Sequence, residues 1–164
     1  MAGNAAGVPV VADLGAIIKT LDRRGRLVRV RSEVDPEYQL ASIAAKFEGR
    51  PQAVLFEKVK GSRYPVFTGL YWSRELLGAL FDRPKGSLPQ YVSQCIRDWQ
   101  QRPAAPVVVA SGPVLQVTEP TVDLSTLPVP VHAERDGGPY FDAAVVIARD
   151  PETGVRNASI QRFM

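Results

Sequence analysis

Six prolines, Pro103, Pro106, Pro113, Pro120, Pro128 and Pro130, punctuate residues 103–130 and exclude a long helix from that stretch. Each ring holds φ near about −65° and removes a backbone donor, and the residue before each proline is steered away from helical geometry. The chain must therefore read as a helix-capable part, a long connection, and a part whose regular structure is extended. A boundary is expected near Pro120. That gives a loose tail over residues 1–12, an α/β domain over 13–120 and the start of a second domain over 121–164.

Upstream of the prolines the periodicity is mixed. Asp13 is placed to cap a helix carrying Leu14, Ile17, Ile18 and Leu21 at helical spacing, with Arg23 and Arg24 at its negative end and Gly25 as its stop. Residues 27–34 alternate, Val28 and Val30 against Arg29 and Arg31, as a half-buried strand does. Asp35-Pro36 predicts the start of a second helix with Leu40, Ile43, Ala44 and Phe47 on its apolar face and Gly49 at its close. Ala53–Glu57 and Tyr64–Leu70 read as strands. Ser73 opens a third helix with Leu76, Leu77, Leu80 and Phe81 inward, and a fourth runs from about Pro89 to Gln101 with Tyr91, Val92, Cys95, Ile96 and Trp99 on one side. These aromatics and the cysteine are expected in the core.

After Arg102-Pro103, Val107–Val109 and Val114–Thr118 are expected to be strands around the turn at Ser111-Gly112-Pro113, and residues 123–130 an extended segment. Phe141–Ala148 and Val155–Phe163 then form a hairpin about Asp150-Pro151-Glu152-Thr153-Gly154, where proline presets φ and glycine supplies the positive φ that ends the turn.

Composition narrows the function classes. A chain of 164 residues with 45% hydrophobic and 23% charged content can bury a core. The single cysteine, Cys95, excludes an internal disulfide. No apolar run is long enough to span a membrane and residues 1–7 lack a signal-peptide layout, so the cytoplasm is expected. The net charge of +3 is modest. Lys19, Arg23, Arg24, Arg26, Arg29 and Arg31 are accounted for by a helix end and a solvated strand face, and no zinc-finger spacing or RNA-reading aromatic signature accompanies them, so no nucleic-acid partner is expected.

The second hairpin strand departs from a purely structural pattern. Asn157, Ser159 and Gln161 share one face, while Arg156, Ala158, Ile160 and Arg162 share the other. Neutral donors and acceptors in succession suit a polar ligand such as a phosphate ester or a hydrated metal, and Arg162 can pair bidentately with a carboxylate or phosphate. An edge hairpin with a polar face explains the same pattern. Asn157 and Arg162 lie about 17 Å apart along an ideal strand and on opposite faces. Both can serve one ligand only if that ligand is long and the strand irregular, for instance at a bulge.

With these residues in view, the chain resembles the N-terminal part of the UbiD family of prenylated-FMN-dependent decarboxylases. The resemblance is carried by Leu27-Val28-Arg29-Val30, Glu33-Val34-Asp35-Pro36, Leu55-Phe56-Glu57-Lys58-Val59-Lys60-Gly61 and Asp123-Leu124-Ser125-Thr126-Leu127-Pro128-Val129-Pro130. It is sharpest at Asp136-Gly137-Gly138-Pro139-Tyr140 and at Arg149-Asp150-Pro151-Glu152-Thr153-Gly154-Val155-Arg156-Asn157. Single pieces are weak; their common order is a strong signal.

The resemblance implies a mixed α/β fold in which an N-terminal α/β domain is followed by the first strands of a split β-barrel that binds flavin. It implies a lyase that reversibly and non-oxidatively decarboxylates α,β-unsaturated or aromatic carboxylic acids. The implied cofactors are prenylated FMN and a divalent metal, manganese or magnesium, with K+ as a further candidate ion. Carried over by position, Asn157 becomes a metal ligand. Ser159, Ile160, Gln161 and Arg162 line the cofactor, and Arg162 is the catalytic arginine that meets the substrate carboxylate. A histidine and a glutamate completing the metal site, and a glutamate pair completing the acid–base network, are expected outside this chain; His132 is not promoted to ligand. The partners implied are a small carboxylic acid and either further copies of the chain in a homo-oligomer or a completing C-terminal chain. A non-catalytic assembly subunit is the alternative reading.

Overall fold

The computed structural model describes residues 13–105 and 107–164. The expected tail over residues 1–12 lies outside the described residues. Cα packing divides the chain into two units, each with its own core.

The first unit comprises the described residues up to Val28, Gly49–Ala53 and Gly69–Ser125. Its helix α1 (Leu14–Arg23) begins where Asp13 Oδ1 accepts from the Ala16 amide at 2.7 Å, the side-chain cap the sequence predicts. It ends at Arg24 and Gly25, whose amides donate to Thr20 O and Asp22 O. α3 (Arg74–Phe81) is capped by Ser73 Oγ, which accepts from Glu75 N at 3.2 Å. Leu21, Leu76, Leu80 and Leu88 are buried in this unit. The Trp72 indole donates to Gln52 O at 2.9 Å.

α4 (Leu88–Gln101) has the expected extent but not the expected burial. Its first residue, Leu88, is buried and the Tyr91 ring packs 5.7 Å from that of Phe81. Beyond that turn Cys95, Val92, Ile96 and Trp99 are exposed. Among the described residues the side chains of its later turns find no cover, and Cys95 meets Tyr91 of its own helix.

The connection departs further. Val107–Val109 form no strand and Val108 is 93% exposed, while Pro113–Leu115 and, in the second unit's approach, Leu124–Thr126 are single 3-10 turns. A strand is stable only when a neighbour takes its backbone donors and acceptors, and among the described residues none pairs with this stretch. Asp123 Oδ1 accepts from both the amide and the hydroxyl of Ser125, which turns a segment expected to be extended.

The second unit comprises Arg29–Glu48, Val54–Thr68 and Thr126–Met164. Strands β1 (Leu27–Val34), β2 (Ala53–Val59) and β3 (Val66–Thr68) form a sheet in the order β1-β2-β3. Ala53 N donates to Arg26 O at the start of the first pair and Lys60 N to Val34 O at its end, so β1 and β2 run parallel around the crossover helix α2 (Gln39–Ala45). β2 and β3 are antiparallel, Leu55 opposite Phe67. Val54, Leu55 and Phe56 are buried consecutively, as in a strand covered on both faces. Arg29 pairs with Glu57 at 2.7 Å and Arg31 approaches the same carboxylate at 3.9 Å, so part of the early basic cluster is neutralised across the sheet.

α2 starts later than Asp35-Pro36 predicts. Asp35 is engaged elsewhere: its carboxylate accepts from Lys60 Nζ at 2.7 Å and from Glu37 N at 2.9 Å. Tyr38 then adopts φ +63°, incompatible with continuing a helix, while its amide donates to Val131 O at 3.0 Å. The pairing of this segment with Val131 holds the chain out of helical geometry for three residues.

Candidate functional site

The C-terminal hairpin consists of β4 (Phe141–Arg149) and β5 (Arg156–Phe163), close to the predicted limits. Its turn is built by Asp150, whose side chain accepts from the amides of Glu152 at 2.8 Å and Thr153 at 3.0 Å. Those two hydrogen bonds, that of Thr153 foremost, hold the Asp150 carboxyl below the usual carboxylate range because they favour its charged form. Gly154 closes the turn at φ +73°, its amide on Asp150 O and its carbonyl accepting from Arg149 Nε.

The ladder sets the faces. Asn157 lies opposite Ala148, Ser159 opposite Val146 and Gln161 opposite Ala144. Asn157, Ser159 and Gln161 therefore share one face, with Ala148, Val146 and Ala144 as their cross-strand neighbours. Gln161 Nε2 donates to Ser159 Oγ at 3.2 Å; the Asn157 amide is exposed and takes no side-chain partner among the described residues. The other face carries Val145, Ile147 and Ile160, respectively 67%, 73% and 71% exposed, beside Arg162. Ile160 thus stands with Arg162 and reaches the polar face only through its backbone.

The register slips once. Phe163 pairs with Phe141 and Gln161 with Ala144, so Asp142 and Ala143 together oppose Arg162. This is a bulge opposite Arg162, which with Ile160 is one of the two predicted site residues that the strand's alternation aims away from Asn157, Ser159 and Gln161. Next to it the Arg162 guanidinium lies over the ring of Tyr140, 4.8 Å from the centroid, and the Tyr140 ring lies 4.5 Å from that of His132. Sequence reading missed Tyr140 as a neighbour of Arg162. Its only local signal was an aromatic at the end of a Gly-Gly-Pro turn immediately before a strand. His132 Nε2 sits 3.3 Å from Tyr140 O, a structural contact. No group of three or more His, Cys, Asp or Glu is arranged to hold a metal among the described residues.

The donor set nevertheless fits one wall of a metal–phosphate site. An exposed amide oxygen is a ligand type that hard divalent ions accept, and Asn157 and Gln161 each lie opposite an alanine, which leaves room for a ligand to approach the strand.

Comparison with known proteins bears on this geometry. The family model described as the N-terminal domain of 3-octaprenyl-4-hydroxybenzoate carboxy-lyase (UbiD) matches residues 18–96. The model described as the Rift-related domain of the same enzyme matches residues 106–164, the hairpin included. A Rhodospirillum rubrum protein known only as an uncharacterized protein in the cooM 5' region is 73% identical over 94% of this chain and 33% of its own length. Among solved structures, an evolved dimeric form of the UbiD-class enzyme HmfF from Pelotomaculum thermopropionicum, in complex with prFMN, matches with a TM-score of 0.75 and 37% identity. That match covers 89% of this chain and 34% of HmfF. The vanillic acid decarboxylase of Sedimentibacter hydroxybenzoicus, in closed form, matches with a TM-score of 0.80 and 30% identity, over 94% of this chain and 35% of its own. The chain spans about a third of the length of the curated relatives it matches.

Proposed function

The chain belongs to the UbiD family of carboxy-lyases, and on that premise we propose that it forms the N-terminal α/β domain and the opening barrel strands of a reversible, non-oxidative decarboxylase. Its substrates are α,β-unsaturated or aromatic carboxylic acids, and prenylated FMN with a divalent manganese or magnesium ion serves the site. The observation that carries this reading is β5 itself. It presents neutral polar groups in a row on one face and, opposite a bulge on the other, an exposed arginine.

Each residue has a role in this reading. Asn157 would offer its amide oxygen as one ligand of the divalent metal. The Ser159 hydroxyl, the Gln161 amide and the backbone from Ser159 through Ile160 to Arg162 hold the cofactor along the strand. Arg162 binds the substrate carboxylate through two parallel N–H donors and so orients the bond to be broken. Prenylated FMN supplies, when bound, the electron sink that decarboxylation needs. The remaining metal ligands and the acid–base glutamates are assigned to protein outside this chain, K+ remains a further candidate ion, and the cytoplasm is the proposed location. We place the domain boundary near Pro120.

The deciding experiment is Arg162→Ala in the full-length protein, followed by CO2 release and by circular dichroism. Loss of turnover with an unchanged fold is expected, and near-normal turnover would refute the role. The exposed Val145, Ile147 and Ile160 favour a surface covered in an assembly. A homo-oligomer or a separate completing chain would cover it, and in the latter case this chain could be a non-catalytic scaffold. Co-purification of a partner carrying the missing ligands would identify that case.

A further inference from the structure

Arg162 is not a free side chain. Its guanidinium carbon lies 4.8 Å from the centroid of the Tyr140 ring. Tyr140 is itself held by the segment preceding it. Its amide donates to Pro130 O at 3.2 Å, its carbonyl lies 3.3 Å from His132 Nε2, and the His132 ring lies 4.5 Å away at an interplanar angle of 39°. A carbonyl can only accept, so Nε2 carries the proton in that contact. Tyr140 and His132 are both half-buried, whereas Arg162 is exposed. An exposed arginine otherwise samples many rotamers, and Tyr140, its backbone held at amide and carbonyl and its ring against that of His132, offers it a surface.

The geometry separates the two ways an arginine can interact. Stacking uses the flat face of the guanidinium, and carboxylate binding uses its edge, where the N–H donors form a planar fork. Where the guanidinium lies flat on the ring, Tyr140 restricts Arg162 and leaves the donors that a carboxylate needs. The bulge formed by Asp142 and Ala143 lies opposite Arg162 and just after Tyr140, so the strand irregularity and the stack occur at one place.

We propose that Tyr140 is a positioning residue for Arg162, holding the guanidinium plane so that its edge faces an incoming carboxylate. This rests on the reading of Arg162 as the carboxylate-binding group. Tyr140 touches neither substrate nor cofactor in this role and acts through the arginine alone. The ring is what matters, not the phenol oxygen, so Phe should substitute and Leu should not.

The test uses the 15N-labelled full-length protein, its Arg162 Nε–Hε resonance identified by its loss in Arg162→Lys, and benzoate as a minimal aromatic carboxylate. The parent should show a ring-current shift at that resonance, kept in Tyr140→Phe and lost in Tyr140→Leu. Benzoate affinity should fall about two- to fivefold in Tyr140→Leu, the worth of an exposed cation–π contact, and stay unchanged in Tyr140→Phe. An unshifted resonance in the parent, or unchanged benzoate affinity in Tyr140→Leu, overturns the positioning role. If Arg162→Ala binds benzoate as the parent does, the carboxylate reading fails and this role fails with it. If Arg162→Ala loses benzoate while Tyr140→Leu keeps it, only the positioning role fails.

Discussion

Asn157 and Arg162 stand five residues apart on opposite faces of β5, and the register slip in the β4–β5 ladder falls opposite Arg162. Regular alternation would aim the two side chains at different surfaces. The slip places Asp142 and Ala143 of β4 opposite Arg162, and under the proposed reading one long ligand would meet Asn157 at its anionic end and Arg162 at its reacting end.

Asn157→Ala should weaken retention of flavin by the full-length protein in a metal-dependent way, since it removes one oxygen donor and leaves the ladder intact. Flavin absorbance and metal content after purification, with and without added manganese, measure this. Equal flavin content in variant and parent under both conditions would count against the metal role.

Phe56→Ala should be the most damaging of the single core truncations. Phe56 is fully buried in β2 beside Val54 and Leu55. Removing an aromatic ring from such a site costs about 3–5 kcal/mol. A lower urea midpoint with an unchanged slope checks it, and a loss below about 1 kcal/mol would mean that the strand is less enclosed than its burial indicates.

Gly78→Ala sets two effects against each other. Alanine favours a helix interior over glycine by about 1 kcal/mol. A Cβ at position 78 would lie 2.5 Å from Arg83 O, backbone that cannot swing aside. Overpacking of this kind costs about 1–3 kcal/mol, so net destabilisation is expected in thermal melts. Net stabilisation would show that the α3 end relaxes freely.

Acid should loosen the hairpin turn. Asp150 has a folded pKa below its unfolded value of about 3.9. Its contribution to the folded turn is thus present above that unfolded value and is lost as the pH falls through the lower folded one. The Glu152 and Thr153 amide resonances should titrate together at a pH below an ordinary aspartate, and Asp150→Asn should remove that titration. Titration of both amides at an unperturbed aspartate value would contradict the turn geometry.

Legibility followed locality. The caps at Asp13 and Ser73 and the hairpin turn at Asp150 depend on residues within three positions of each other, and the structure has each as the sequence predicts. The failures were long-range. Val107–Val109 and Val114–Thr118 have the composition of strands but pair with no neighbour among the described residues. Cys95, Ile96 and Trp99 keep helical spacing on α4 yet stay exposed. The late start of α2 depends on Tyr38 meeting Val131, a residue far along the chain. At the site, the ordered motifs pointed to the UbiD family, and the matching family models bear that out. The roles proposed for Asn157, Ser159, Ile160, Gln161 and Arg162 rest on their positions in those motifs.

By itself the sequence determined the elements whose signals are local: capped helices, a proline-bounded connection, a hairpin with a polar row on its second strand, and the family its motifs belong to. Only the tertiary structure decided which apolar faces find partners, where α2 begins, where the ladder slips, and that Tyr140 lies under Arg162. The reason is physical. A cap or a turn is closed by atoms a few bonds apart, whereas burial, register and ring stacking depend on which distant segments are brought together, and a periodic pattern does not specify its partner.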